Sequence, residues 1–178
     1  NLISIMQAES TLKRVFLRLF ARVLIQGNPD HENDGITPSC YSYTYNHLKN
    51  SPHGPEILKL IDKSSEEKTV ANFESYMRPK KGNYIYEMFY YNHPFYSYNA
   101  LKNIRVQRRL TSDLLDISYT SGDPGIAYNT VSILMDEFVE EYRRIRYGET
   151  DKVIKYFEEE LRRIGGKLRN EEEDLTKY

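Results

Sequence analysis

The feature that most constrains this fold is a helical pattern that runs from Asp123 to Tyr178. Asp123 is a favourable N-cap residue, and Pro124 suits the first position of a helix. Apolar side chains then recur at alternating spacings of three and four, which is typical of a heptad seam. Gly148 and the pair Gly165-Gly166 are weak points in this helix rather than certain breaks. The seam positions are Ala127, Val131, Leu134, Phe138, Tyr142, Ile145, Val153, Phe157, Leu161, Ile164, Leu168, Leu175 and Tyr178.

The length of this helix predicts that it needs a partner. Residues 123–178 would span about 84 Å if they were helical throughout, whereas a body of 120 residues has a radius of gyration of about 14 Å. We therefore expect the helix to project beyond the rest of the chain. Its apolar seam must then be covered by a returning helix absent from this sequence or by another subunit.

The preceding part of the chain predicts an α+β base with several short helices. Ser64 or Ser65 can cap one of them, and Pro94 is placed to begin another. The charge divides in the same way, because residues 1–122 carry a net +3 and residues 123–178 a net −4. We therefore predict two domains, a base over 1–122 and an arm over 123–178. The predicted helices cover residues 2–25, 41–49, 56–62, 64 or 65 to 78, 84–91 and 94–102.

A β-hairpin is predicted near residues 104–120. Residues 104–110 are strand-like, Thr111-Ser112 can turn the chain, and residues 113–120 alternate with Leu115, Ile117 and Tyr119 on one face. An isolated pair of strands is marginally stable in water. We therefore expect a small antiparallel or mixed sheet that is completed by strands outside this sequence.

Composition excludes several classes of protein. Lys and Arg number 25 and Asp and Glu 26, so the net charge of −1 argues against a generally basic nucleic-acid binder. The single cysteine, Cys40, excludes an internal disulfide framework and a zinc site made only of cysteines. The richest apolar run, Val15 to Ile25, contains Arg18 and Arg22 and is too short to cross a bilayer. Because the chain starts at Asn1 and ends within a helical pattern, we expect it to be a fragment of a longer protein.

Catalytic and cofactor motifs are not found in the sequence. It has no P-loop, no GxGxxG and no GxSxG, and its four histidines match no metal-ligand spacing. The paired carboxylates of residues 123–178 are predicted to lie on a solvated helix face, where nothing tunes an acid–base pair. We therefore predict no enzyme activity, no cofactor and no metal.

Two clusters leave alternatives open. Arg105, Arg108 and Arg109 form a basic patch that suits an acidic glycan or lipid headgroups, although charged residues also protect edge strands from aggregation. The aromatic run between residues 84 and 98 could stack against sugars, but we favour packing between the short helices and the sheet. The aromatic residues of this run are Tyr84, Tyr86, Phe89, Tyr90, Tyr91, Phe95, Tyr96 and Tyr98.

Residues at the hairpin–helix junction resemble a known family. The segment Asp113-Leu-Leu-Asp-Ile-Ser-Tyr-Thr-Ser-Gly-Asp-Pro-Gly-Ile-Ala127, followed by Asn129, is similar to the Wzz-type chain-length determinants, also called polysaccharide co-polymerases. In that family a strand reading "lleIs" leads into "DPxxAaxxxN", which begins the long helix. Residues 138–142, 157–161 and 168–172 resemble the helical arm, and the resemblance covers about residues 101–178.

The resemblance implies a function in surface polysaccharide biosynthesis. Such proteins are held in the inner membrane by two transmembrane helices, and their periplasmic part is an α+β base with a long helical hairpin. They assemble as homo-oligomeric rings and set the chain length of O-antigen (and so of lipopolysaccharide), capsule or exopolysaccharide. They work with a polymerase or exporter, and some carry or recruit a cytoplasmic tyrosine autokinase. The periplasmic part has no catalytic site.

On this resemblance we expect a periplasmic domain of an inner-membrane protein that regulates polysaccharide chain length. Asp123, Pro124 and Ala127 would be its helix-starting positions. The alternative is a coiled-coil periplasmic adaptor of an export complex with no role in chain length. Neither hypothesis involves nucleic acid, and the growing glycan itself is a candidate partner. The packing seam would include Phe138, Val153, Phe157, Leu161 and Leu168.

Overall fold

The computed structural model describes residues 2–78, 83–111 and 114–176, with side chains described for 3–78, 83–111 and 114–167. It confirms the predicted α+β class, since several short helices and one long C-terminal helix accompany a two-stranded antiparallel sheet. The elements are α1 (Leu2–Met6), α2 (Glu9–Gln26), α3 (Pro38–Lys49), α4 (Gly54–Leu58), α5 (Glu66–Met77), α6 (Tyr84–Tyr90), α7 (Tyr98–Leu101), β1 (Arg105–Arg108), β2 (Leu115–Ser118) and α8 (Pro124–Thr176).

The chain divides into two compact units, Asn1–Phe138 and Val139–Tyr178. The first unit therefore includes the sheet, α1 to α7 and the beginning of α8. The second unit consists of the rest of α8, which runs through Gly148 and Gly165-Gly166 without a break. Among the described residues, nothing but the neighbouring backbone of the helix lies within 4 Å of the place where a Cβ would sit at these glycines.

Helix α2 forms the centre of the first unit. It packs against α3, α5 and α7, so more than one of its faces is covered, which is the behaviour of a helix inside a protein core. Among the described residues, no helix is both long enough and apolar enough to cross a bilayer. The buried residues of α2 are Thr11, Leu12, Val15, Phe16, Leu17, Leu19, Phe20, Ala21, Val23 and Leu24.

Three arginines at four-residue spacing form the polar edge of α2. Arg22 pairs with Glu66 at the start of α5, with Nε 3.0 Å from Oε1 and a second contact of 3.2 Å to Oε2. Arg14 and Arg18 both reach Glu137 on α8, at 3.0 and 3.2 Å. Because residues four apart lie on one face of a helix, this stripe ties α2 to α5 and to the beginning of α8.

The single helix predicted over residues 2–25 is wrong, because the chain breaks between α1 and α2. Ala8 adopts an extended conformation, with φ −67° and ψ 147°. Hydrogen bonds stabilise the break on both sides, since the Thr11 hydroxyl donates to the Ile5 carbonyl at 2.6 Å and Nε2 of the Gln7 side chain donates to the Ile104 carbonyl at 3.3 Å. The apolar spacing continues across the break, so periodicity alone does not reveal it.

Helix α7 also differs from its prediction, which placed Pro94 at the first helical position. The chain makes turns after Pro94, and α7 begins four residues later behind Ser97, whose hydroxyl accepts the Ala100 amide at 3.2 Å. His93 caps this turn, since its Nδ1 accepts the amides of Phe95 and Tyr96 at 3.1 and 3.3 Å. The Ser97 hydroxyl donates to the His93 carbonyl at 2.7 Å, and this carbonyl is the acceptor that the Ser97 amide would use in a helix starting at Pro94.

Other boundaries shift by a few residues. Helix α3 begins at Pro38, earlier than predicted, because Thr37 caps it by accepting the Cys40 amide at 3.1 Å. Helix α4 begins at Gly54 and ends before the predicted residue 62. Of the two predicted caps of α5, Ser64 and Ser65, the structure shows Ser65, and α6 confirms the helix near residues 84–91.

The predicted hairpin is confirmed. β1 and β2 pair antiparallel, with Val106 opposite Ile117 on the covered face and Arg105 opposite Ser118 on the other. The Arg109 amide donates to the Leu114 carbonyl at 2.9 Å and closes the pair beyond the last ladder residues. Ser112 of the predicted turn and Asp113 of the predicted strand lie outside the described residues.

Candidate functional site

The junction between the hairpin and α8 is built around Asp123. Its Oδ1 accepts the amides of Gly125 and Ile126 at 2.9 and 3.1 Å. This confirms the predicted N-cap, because a carboxylate that accepts the first free amides of a helix is the usual N-terminal cap. Pro124 is the first helical residue, as predicted. Ala127, the third predicted helix-starting position, donates its amide to the Asp123 carbonyl at 3.0 Å and is half-buried.

A second helix start lies beside this one. The Thr37 hydroxyl, which caps α3, donates to Oδ2 of Asp123 at 2.7 Å. The Asn129 side chain donates to the carbonyls of Asp34 and Gly125 at 3.1 and 2.8 Å. The loop before α3 and the first turns of α8 are therefore joined by hydrogen bonds from both directions.

Gly125 allows this close approach. A Cβ at Gly125 would overlap the carbonyl oxygen of Gly35. Gly35 itself has a φ of +78°, in the left-handed region that glycine adopts without strain. The sequence pattern Asp-Pro-Gly thus combines a cap, a first helical residue and a backbone-to-backbone contact.

The beginning of α8 buries a face that sequence reasoning described only in part. Leu134, one of the predicted seam positions, is buried in the core of the first unit, and Ile126 and Ile133, which were not among the seam positions, are fully buried beside it. Asn129 and Thr130 are buried beside them. The spacing 126, 130, 133, 134 is helical, but the threonine and the neighbouring asparagine hide it from a search for apolar residues.

The predicted packing seam is split between the two units. Phe138 is half-buried and packs against the hydrophobic core of the first unit. In the second unit Val153, Phe157 and Leu161 are 53%, 60% and 69% exposed. Leu168 lies in α8, but its side chain is outside the described residues, as is Leu175, and Tyr178 is outside them altogether. Between residues 139 and 167 the helix therefore carries large apolar side chains that the described chain leaves exposed.

The three arginines of the predicted basic patch have different surroundings. Arg109 places Nε 3.4 Å from Oδ2 of Asp116 across the hairpin. Arg108 is exposed at the end of β1. Arg105 lies at the other end of the strand, where it lines a polar cleft of about 390 Å³. The other residues of this cleft are Asn103, Ser118, Tyr119 and Thr120.

Much of the aromatic run contributes to packing. Tyr96 is fully buried, and its ring lies 5.4 Å from that of Phe20 and 6.2 Å from that of Phe16. Its hydroxyl shares a 2.7 Å hydrogen bond with Thr44. Burial raises the pKa of Tyr96 far above its ordinary value, so this phenol is a neutral core group. Phe89 is also fully buried and stacks on Phe16 at 5.5 Å.

Folding lowers the pKa of the His93 ring. Burial, and secondarily the nearby His47, lower its pKa to about 4. The ring is therefore neutral near pH 7, which suits the acceptor role of Nδ1 toward the backbone amides. Its ring lies 5.8 Å from that of Tyr43 and 4.8 Å from that of Tyr96.

Potential metal ligands and the thiol of Cys40 were the remaining candidates for a chemical site within the described residues. No group of three or more His, Cys, Asp or Glu side chains in them is arranged to hold a metal ion. Cys40 is buried, and that burial, with the charge of Asp123, raises the pKa of its thiol to about 12. A thiol of such high pKa is a poor nucleophile because the thiolate is the reactive form.

Comparisons with protein-family models, with curated proteins and with solved structures find no match to this chain.

Proposed function

We propose that this chain belongs to an oligomeric scaffold that sets the chain length of a surface polysaccharide such as O-antigen, capsule or exopolysaccharide. In this proposal it is a periplasmic domain of an inner-membrane protein and acts with a polymerase or exporter. It performs no catalysis itself. Subunits associate through helix seams, and the assembly biases how long the polymerase holds the growing glycan. A cytoplasmic tyrosine autokinase would be a further partner.

The observation that carries the proposal is the exposed apolar seam of α8. Val153, Phe157 and Leu161 are each more than half exposed. Burial of a large aliphatic or aromatic side chain stabilises an assembly by about 1.5–3 kcal/mol, so three such side chains along one helix favour association with another helix. Association through the seam is the property that a scaffold requires.

The helix start supports the same proposal. The segment that resembles the chain-length determinants coincides with a specific structural device, in which Asp123 caps α8 and also accepts the hydroxyl of Thr37. The first turn of α8 is therefore held by the loop that precedes α3. A coiled-coil adaptor of an export complex would use the same seam, so the readout must be polymer length itself.

The test uses cells that make the polysaccharide. The gene is deleted and then restored intact, with Phe157→Glu plus Leu161→Glu, or with the control pair Lys155→Glu plus Arg162→Glu. The control residues are exposed and lie on the opposite side of the helix by its 100° periodicity. Surface polysaccharide is then compared by gel electrophoresis.

We expect deletion to abolish the modal length, the intact gene and the control pair to restore it, and the seam pair to fail. Cross-linking in membranes should show oligomers for the intact protein and the control only. An unchanged length distribution in the deletion strain would refute length control and favour the adaptor. Equal loss in both variants would refute the role of the seam.

A further inference from the structure

One face of the hairpin is polar along its whole length. The register pairs Arg105 with Ser118 and Gln107 with Asp116. Side chains alternate between faces along a strand, so these four residues share the face opposite Val106 and Ile117. All four are exposed. A strand face that packs on a larger core would carry apolar residues here, and this one carries hydrogen-bonding groups.

The cleft of about 390 Å³ lies at the open end of this face. Its volume falls at the lower end of small-molecule sites, which measure about 300–1,000 Å³. Asn103, Arg105, Ser118 and Thr120 line it, together with half-buried Tyr119. One N–H of the Asn103 side chain donates to the Asn99 carbonyl at 3.1 Å. The cleft therefore offers one aromatic residue and several neutral donors and acceptors.

The charge in the cleft is a single cation. Arg109 on the same face is ion-paired with Asp116, whereas Arg105 forms no ion pair within the described residues. A guanidinium binds a carboxylate through two parallel hydrogen bonds. The cleft is thus suited to a ligand with one negative charge and several hydroxyl groups.

We propose that this cleft binds a single hexuronate unit of an acidic saccharide, with Arg105 on the sugar carboxylate and Asn103, Ser118 and Thr120 on the ring hydroxyls. A membrane surface recruits clusters of basic residues, and one unpaired arginine in a concave cleft is not such a cluster. Only the statement that the sugar belongs to a polymer rests on the proposed function. The chemical class of the ligand rests on the cleft itself.

Binding is tested on the purified chain by NMR titration. The probes are D-glucuronate, D-glucose, sodium phosphate and vesicles of phosphatidylglycerol. We expect glucuronate to shift the amide signals of residues 103–105 and 118–120, and glucose to bind at least tenfold more weakly. Arg105→Gln should weaken glucuronate binding at least tenfold. Arg108→Gln, the same change at the other end of β1 and outside the cleft, should leave it within twofold.

Circular dichroism and thermal melting of both variants check the fold, which an exposed arginine should not affect. Glucose binding as tightly as glucuronate would overturn the carboxylate assignment. Equal weakening by Arg108→Gln would replace the cleft with a general basic patch. Tighter binding of phosphate or of vesicles than of glucuronate would overturn the assignment of a sugar ligand. An absence of shifted amide signals at glucuronate concentrations up to about 50 mM, well above a millimolar dissociation constant, would overturn it as well.

The outcome is separable from that of the proposed function. If glucuronate binds through Arg105 but deletion of the gene leaves polymer length unchanged, the binding site is supported and regulation of chain length is refuted. If deletion changes polymer length but glucuronate does not bind, regulation of chain length is supported and the binding site is refuted. If both hold, Arg105→Gln in the restored gene should alter the modal length while preserving the cross-linked oligomer.

Discussion

The Thr37 hydroxyl donates a 2.7 Å hydrogen bond to Oδ2 of Asp123, so the caps of α3 and α8 are directly bonded to each other. Each residue also accepts an amide of its own helix, Cys40 for Thr37 and Gly125 for Asp123. One carboxylate thus serves two helix starts, 86 residues apart in the sequence. The loss of either side chain should therefore destabilise the starts of both helices.

Asp123→Ala should lower the free energy of unfolding by more than an ordinary cap, for which the cost is about 1 kcal/mol. Thr37→Val should also lower the free energy of unfolding. The double variant should lose less stability than the sum of the losses in the two single variants. We expect a coupling of about 0.5–3 kcal/mol in a double-mutant cycle by urea unfolding. Ser65→Ala, which removes the separate cap of α5, should add to Asp123→Ala without coupling. A fully additive Thr37–Asp123 pair would contradict the shared cap.

Gly125→Ala should lower the stability of the first unit by about 1–3 kcal/mol, because the added methyl group would collide with the Gly35 carbonyl. Overpacking of a protein interior typically destabilises it by this amount. Gly148→Ala is the matched control in the same helix, where the added methyl group meets no described atom within 4 Å apart from the neighbouring helix backbone. It should raise helix stability by about 0.5–1 kcal/mol, because alanine is the better helix former. Thermal melting of the two variants should therefore shift in opposite directions.

Glu137→Gln should destabilise the first unit by about 1–3 kcal/mol. The carboxylate is only 12% exposed and accepts from both Arg14 and Arg18, so the change removes the charge that the two arginines share, while Arg18 keeps its contact with Asp136. Glu160→Gln removes an exposed pair with Arg163 on the same helix and should cost less than about 0.5 kcal/mol. Similar losses for both variants, measured by urea unfolding, would refute this assignment.

His93 should make stability fall in acid. Its pKa is lowered to about 4 in the folded state, whereas an unfolded histidine titrates near 6.5. Above that value both states are neutral and the residue is without effect. As the pH falls from 6.5 toward 4 the unfolded state takes up the proton first, so folding loses stability, roughly 3 kcal/mol at the acid limit.

The measurement is urea unfolding at several pH values between 8 and 4. His93→Asn keeps an acceptor for the amides of Phe95 and Tyr96 but does not titrate, so its loss of stability in acid should be smaller. His31→Asn, at an exposed position, should behave like the parent protein. Identical slopes for the parent protein and His93→Asn would show that His93 is not the acid-sensitive group.

Sequence reasoning predicted those elements whose signals lie in neighbouring residues. Asp123 and Pro124 start α8, Ser65 caps α5, and the alternation around Ile117 predicts its strand, because capping and strand periodicity depend on a few adjacent side chains. The break at Ala8 and the late start of α7 were missed. The break at Ala8 depends on a remote partner, because the Gln7 side chain donates to the Ile104 carbonyl. The late start of α7 depends on the Ser97 hydroxyl, which donates to the His93 carbonyl and which the preference of proline for the first helical position does not take into account.

The candidate site shows the same division. Local residue patterns were enough to predict an α+β chain with a capped long helix, an apolar seam and three arginines near a hairpin, since caps and periodicity depend on neighbouring residues. Only the tertiary structure separated Arg105 in its cleft from Arg109 beside Asp116. It also joined Thr37 to Asp123 and buried Ile126 and Ile133. These relationships depend on distances between residues that are remote in the chain, and such distances are set by how the whole core packs.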